Sequence, residues 1–168
     1  MRVAVTGTPG TGKTTATERL DTDLEVIHLN EVIRERDFDT GVDEERDTLI
    51  ADLEAVADWL ADREDVLVES HLAHHFAADR VIVLRAHPEA IEQRLTDRGE
   101  PAATAGENAE SEALDVILAG AVEEHGEGSV YEIDTTDRSP DEVAAEIARV
   151  IAGERDPSAG TVSFVDWL

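Results

Sequence analysis

The stretch Gly7-Thr8-Pro9-Gly10-Thr11-Gly12-Lys13-Thr14 decides how this chain is read. It fits the pattern G-x-x-x-x-G-K-[ST] at every fixed position, the signature of a loop that cradles phosphates. Its glycines let the backbone curl with N–H groups pointing inward, and a following helix aims its positive end at the same spot. The flanks supply that setting. Arg2-Val3-Ala4-Val5-Thr6 is a β-branched apolar run that predicts a buried parallel strand, and Thr14 to Leu20 predicts the first helix. Lys13 is the only lysine in a chain with 14 Lys+Arg residues, and it stands where a nucleotide phosphate needs it. The expectation is a protein that binds a nucleoside triphosphate and moves its terminal phosphoryl group. Lys13 would reach the β- and γ-phosphates, and the Thr14 hydroxyl would ligate Mg²⁺.

Outward from the loop, strand-like runs alternate with helical ones. The strand-like runs are Arg2–Thr6, Glu25–Leu29, Asp65–Glu69, Arg80–Arg85 and Ser129–Ile133. Between Glu44 and Arg63, the residues Leu49, Leu53, Val56, Trp59 and Leu60 fall on one face at helical spacing. Pro88 opens another helix, reaching about Arg98, and a third covers roughly Asn108 to Glu124. Ser139-Pro140-Asp141-Glu142 opens the last, with Ser139 as N-cap, and Gly153 ends it. This alternation predicts an α/β fold: a five-stranded parallel sheet with helices on both faces, in a single domain over residues 1–168. The tail from Glu154 ends in the apolar cluster Phe164-Val165-Asp166-Trp167-Leu168, expected to dock on the body.

Charge narrows the setting. Forty acidic residues face 14 basic ones, giving a net charge of −26 and a pI near 4.3. An apolar content of 41% argues against disorder. A dedicated basic partner is one reading. The acids, however, are spread over the whole length and lysine is nearly gone, which favours adaptation to a halophilic cytoplasm, where salt screens self-repulsion. Bare nucleic acid is a poor ligand for such a surface. There is no cysteine, hence no disulfide or thiolate site. No apolar run is long enough to span a membrane, and the chain opens into a strand rather than a signal peptide, so a cytoplasmic protein is expected. A Ras-type GTPase is disfavoured, because its Asn-Lys-x-Asp guanine reader needs a second lysine.

Ligands of open parallel sheets lie at the carboxyl ends of the strands. After Val66-Leu67-Val68 comes Glu69, a candidate for the second Mg²⁺-directed group, against the bland reading of a solvated strand-end acid. His71 could orient a water or a phosphate acceptor. With His74 and His75 it could instead form a metal cluster, though no spacing rule supports one. Arg34, after the second strand, suits bidentate phosphate contact, or is an ordinary surface ion pair. Arg94 and Arg98 share a helical face, and the polar stretch from Gly99 to Glu107 reads as a mobile lid. Asp134-Thr135-Thr136 is placed to line a base pocket.

Taken in order, GTPGTGKTT at Gly7–Thr15, HLNEVIRE at His28–Glu35, Glu69-Ser70-His71, the run Val81–Arg85, Arg94-Leu95-x-x-Arg98-Gly99 and Glu107-Asn108 resemble the adenylate kinase isoenzyme six family. This family is also called the coilin-interacting nuclear ATPase family, and it includes archaeal members. The resemblance runs to about Ile151. It implies a P-loop nucleoside monophosphate kinase fold and the reaction ATP + AMP ⇌ 2 ADP with Mg²⁺, alongside intrinsic ATPase activity. Eukaryotic relatives assist maturation of the small ribosomal subunit and bind a small-subunit ribosomal protein. By matching motifs, Gly10, Gly12, Lys13, Thr14 and Thr15 would hold ATP phosphates. The segment from about 28 to 50 would bind the monophosphate through Arg34. The segment 97–107 would be the lid, with Arg98 on ATP. His71 falls in the family's Asp-x-His element. The acid of that element is Glu69 here, one methylene longer, and the aromatic that usually follows Arg-Gly in the lid is Glu100. A kinase for another small metabolite would fit the same scaffold.

Overall fold

Alternation along the strands sets up two cores. The computed structural model describes residues 1–168. Its main sheet comprises β1 (Arg2–Thr6), β2 (Glu25–His28), β5 (Val66–Glu69), β6 (Arg80–Arg85) and β7 (Val130–Asp134). All four pairings are parallel, in the order β2-β5-β1-β6-β7. The intervening hairpin is β3 (Asp39–Asp43) with β4 (Thr48–Ala51). Val3, Val5, Leu67, Ile82, Leu84 and Ile133 face one side of the sheet, where α1 (Lys13–Glu18) and α7 (Pro140–Ile151) cover them with Ala16, Val143, Ile147 and Val150. Ala4, Ile27, Val68, Val81, Val83 and Val130 face the other side. There they meet α2 (Leu29–Glu35), α3 (Leu53–Leu60) and α6 (Val116–His125) through Leu29, Ile33, Val56, Leu60, Leu118 and Ala121. A strand buried on both faces reads as a continuous apolar run, which is why these strands were visible in the sequence. A third cluster packs α4 (Pro88–Asp97) on α5 (Ala102–Ala113) through Ile91, Leu95, Ala105 and Ala109.

Local signals fix the helix ends. Ser139 accepts the Glu142 N–H at 3.2 Å, Pro140 sits in the first turn, and Gly153 follows α7 with φ +76°. The structure departs from the sequence reading in three places. The helix expected from Glu44 to Arg63 exists only as α3; the residues before it form the hairpin. Asp52 caps α3 by accepting the Ala55 N–H at 3.1 Å, and Asp47 turns the chain at φ +50°. The helix expected from Asn108 to Glu124 is two helices, broken at Asp115 with φ +56°. The stretch from Gly99 to Glu107, read as a polar mobile lid, is helical from Ala102, and that helix buries Ala105 and Ala109 against α4.

The break at Asp115 has a cause. Arg85, at the carboxyl end of β6, is 0% exposed. Its guanidinium meets Glu132 at 2.6 Å, Asp115 at 2.5 Å and Glu112 at 3.2 Å. It also donates to the carbonyls of Glu112 and Val162, each at 3.2 Å. Burial works against its charge, but Glu112, Glu132 and Asp115 more than offset that and raise its pKa. Glu132 in turn accepts the N–H groups of Thr161 and Val162 at 2.7 and 3.1 Å, so the tail docks on the same node. Removing one side of a buried ionic cluster leaves the other uncompensated. Arg85→Leu should therefore destabilise the protein by about 3–5 kcal/mol. Thermal unfolding in molar KCl should show a large drop in midpoint, while Arg46→Ala, which breaks the exposed contacts of Arg46 with Asp43 and Glu107, leaves it near wild type.

Candidate active site

The loop between β1 and α1 is built on its own backbone. Gly7 has φ +147°, and a Cβ there would lie 2.6 Å from the Leu84 carbonyl oxygen, so glycine is required. Thr11 donates through N–H and Oγ1 to the Thr8 carbonyl at 3.2 and 2.8 Å. Lys13 Nζ donates to the carbonyls of Gly7 and Thr8 at 2.8 and 3.2 Å, which holds the ammonium inside the loop. Thr8 Oγ1 donates to Glu112 at 3.2 Å, tying the loop to α5. Burial lowers the pKa of Lys13 from 10.5 to about 8, with Glu69 opposing the shift and Arg98 adding to it.

The register brings the second group alongside. Glu69 pairs with Val5 of β1 and His28 of β2, so the carboxyl ends of three strands meet. Thr14 Oγ1 donates to Glu69 Oε1 at 2.6 Å, and His28 Nδ1 lies 3.3 Å from the same oxygen. A hydroxyl and a buried carboxylate converging at this distance form an oxygen donor set of the kind hard divalent cations take, with further positions left to nucleotide oxygens and water. His71 feels Lys13. Burial first, then the Lys13 charge, lowers its pKa to about 4, so it is a neutral imidazole at neutral pH. The histidines do not gather into a metal site: no group of three or more His, Asp or Glu side chains is arranged to hold an ion. His74 instead makes a 2.9 Å hydrogen bond with Thr6 Oγ1 and stacks on His75 with ring centroids 4.2 Å apart.

Two pockets flank this centre. One is lined by Gly10, Gly12, Thr15, Arg94, Arg98 and Arg138, among others, with Pro140 and Val143 at its apolar end. Arg94 donates to the carbonyls of Gly10 at 3.1 Å and Thr135 at 3.2 Å, so it braces the loop. Arg98 is exposed and approaches only Glu100, at 4.0 Å. The other pocket lies between α2 and the hairpin, with Asn30, Arg34, Asp47 and Thr48 as polar lining and Ile33, Leu49, Ala51 and Leu72 as apolar lining. Lys13, Thr14 and Glu69 thus stand together, with Arg98 and Arg34 in separate flanking pockets. Of the trio Asp134-Thr135-Thr136, Thr135 lines the first pocket, whereas Asp134 is spent on accepting from Thr136 at 2.6 Å. Sequence reasoning missed His28, Asn30, Glu112 and Arg138. The first two stand in the HLNEVIRE run directly after a strand, which was the available signal.

A phosphate loop on a parallel sheet, with an arginine-bearing pocket on either side, defines a P-loop phosphotransferase. Family comparison agrees. Residues 3–115 match the model described as AAA domain. A 168-residue alignment with a Natronomonas pharaonis protein, covering all of both chains, is 66% identical; a Halobacterium salinarum protein is 59% identical, again over all of both. A Methanothermobacter thermautotrophicus protein is 47% identical over 99% of this chain and 98% of its own. Each is named "Putative adenylate kinase". The chain belongs to this archaeal adenylate kinase family. Among solved structures, the fold is shared with shikimate kinase from Acinetobacter baumannii (TM-score 0.61, 17% identity, 92% of this chain and 94% of that one). It is shared too with deoxyadenosine kinase from M. mycoides (TM-score 0.57, 13% identity, 90% and 100%).

The Lys13 shift has a signed consequence. The ammonium is charged below about pH 8 and loses its proton above it, so a bound phosphate must draw that proton back. Nucleoside triphosphate affinity should fall up to about tenfold per pH unit above 8, with proton uptake seen by calorimetry in buffers of different ionisation enthalpy. In the free protein the same burial costs stability below pH 8 and is relieved as pH rises toward 10.5.

Proposed function

We propose that the protein is a nucleoside monophosphate kinase catalysing ATP + AMP ⇌ 2 ADP. The carrying observation is the pair of arginine-bearing pockets flanking one phosphate loop, one with Arg98 and one with Arg34. The names of the archaeal relatives support it. ATP would lie along the first pocket with its phosphates in the loop, and the AMP phosphate would lie on Arg34. Segment 28–50 then serves as the monophosphate-binding part, and 97–107, with the helical remainder of α5, as the lid. Thr14 and Glu69 would hold Mg²⁺, which neutralises charge on the nucleotide phosphates. Lys13 would leave its loop carbonyls for the phosphate oxygens, and Arg98 would swing onto the transferring group. Catalysis of this kind is mainly positioning and charge stabilisation with water excluded.

A second reading has its own observation. His71 is neutral, shielded and within reach of the Lys13 field, which suits it to orient a water. Intrinsic ATP hydrolysis fits that, and with it a role as an ATPase in small-ribosomal-subunit maturation with a ribosomal protein or pre-ribosomal particle as partner. No helix is long and apolar enough to cross a membrane. The acidic composition supports a cytoplasmic setting in high salt.

Nucleotide products measured in molar KCl with Mg²⁺ separate the two readings. Two ADP formed per ATP, only when AMP is present, is the result expected for the kinase. Lys13→Ala should abolish it. Arg34→Ala should raise the KM for AMP by about tenfold or more while leaving that for ATP near wild type. ADP and free phosphate released at the same rate without AMP would overturn the kinase reading in favour of the ATPase.

A further inference from the structure

Arg34 supplies charge to the pocket between α2 and the hairpin; a second residue on the same helix supplies direction. Asn30 is one turn before Arg34, and both line that pocket. Its side chain is not free. Ser70, 0% exposed and next to Glu69, accepts the Leu72 N–H at 3.0 Å and donates its hydroxyl hydrogen to Asn30 Oδ1 at 2.7 Å. The distance is that of an O–H···O bond, and it fixes which end of the amide is which. A flipped amide would put Nδ2 against Ser70 and leave a buried hydroxyl hydrogen with no acceptor. The end of Asn30 left for a ligand is therefore Nδ2, which can only donate. Asp47, from the hairpin, is the one acid lining the pocket, and on the α2 side a donor beside a guanidinium, on one helical face, suits an anion.

We infer that Asn30 is an acceptor-binding residue, presenting its Nδ2 hydrogens to the phosphate oxygens of the acceptor monophosphate beside Arg34, and that Ser70 is the positioning residue that aims it. The inference rests on the monophosphate kinase reading and deepens it. It gives the acceptor site a neutral, directional contact next to the charged one, so an anion is recognised by geometry as well as by sign. It also links the acceptor site to the end of β5 that carries Glu69, through adjacent residues of one strand end.

A merely structural role would be to tie α2 to the segment after β5. The isosteric substitution Asn30→Asp separates the two roles. It keeps an oxygen for Ser70 to donate to, but turns the ligand-facing donor into a carboxylate oxygen. Acceptor-dependent ADP formation is measured in molar KCl with ATP, Mg²⁺ and AMP, together with thermal midpoints. The expected result is a KM for AMP raised about tenfold or more in Asn30→Asp. The KM for ATP and the midpoint should stay near wild type. Ser70→Ala, which releases the amide to rotate, should raise the KM for AMP less, with the KM for ATP again unmoved. Asn30→Asp with a wild-type KM for AMP overturns the inference and leaves the kinase reading standing. A wild-type protein that makes no ADP from any nucleoside monophosphate overturns the kinase reading, and this inference with it, before any variant is made.

Discussion

Arg85 leaves the carboxyl end of β6 with no exposed surface, and separate parts of the chain converge on its guanidinium. Glu112 comes from α5, Asp115 from the break before α6, Glu132 from β7 and the Val162 carbonyl from the tail. Glu112 does more than pair with it. Its carboxylate also accepts the Ala86 N–H at 2.8 Å and the Thr8 hydroxyl at 3.2 Å. The helix that follows Gly99, the phosphate loop and the strand that neighbours it are thereby held in one network. Burial pushes the Glu112 carboxyl upward and the Arg85 charge pulls it back, so each group depends on the other being present. Lysine could not replace this arginine, because one compact ammonium has no rigid fork to span carboxylates arriving from different directions.

Burial sets this node apart from the exposed ion pairs. With a net charge of −26, the chain is self-repelling unless salt screens it, and in molar salt the Debye length is only about 3 Å. The same screening weakens exposed pairs such as Arg19 with Asp141 and Arg149 with Glu146. The pair of Arg46 on the hairpin with Glu107 on α5, which bridges two segments of the proposed site, is also exposed. An ionic cluster can hold the architecture in such a medium only where solvent ions do not reach it. Arg85 and Glu132 are in that position.

The sequence revealed what was local and concealed what was distant. The phosphate loop, the apolar strands and the Ser139 cap are written in adjacent residues, and each appears as read. The positions of Glu69 and Arg34 followed from the rule that ligands gather at carboxyl strand ends. The failures share one cause. Leu49 continues the helical spacing of α3, but it belongs to an exposed hairpin strand, where tertiary context overrides periodicity. Asp115 looked like an ordinary helical residue, because the arginine that draws it out of the helix lies 30 positions away. Asn30 and Ser70 are 40 residues apart, so neither shows in sequence that it orients the other.

Apart from Arg85 and the exposed ion pairs, two placements recur among the few cations of this acidic chain. Some answer backbone carbonyls. Arg2 donates to the carbonyls of Leu60 and Arg63 at the end of α3, and Arg80 to those of Val150 and Ile151 at the end of α7. Helix carboxyl ends carry orphan carbonyls and a negative dipole, so a cation there both satisfies and neutralises them. Lys13, Arg34, Arg94, Arg98 and Arg138 line the loop and its flanking pockets. A phosphate approaching this protein meets repulsion over most of its surface. What favours it is a concentrated positive field at the loop, made of its N–H groups and these side chains. Lysine, a point charge that can slide among oxygens, occurs once, at the loop. Arginine, with its fork fixed in a plane, spans the carboxylates at Arg85 and braces the loop at Arg94.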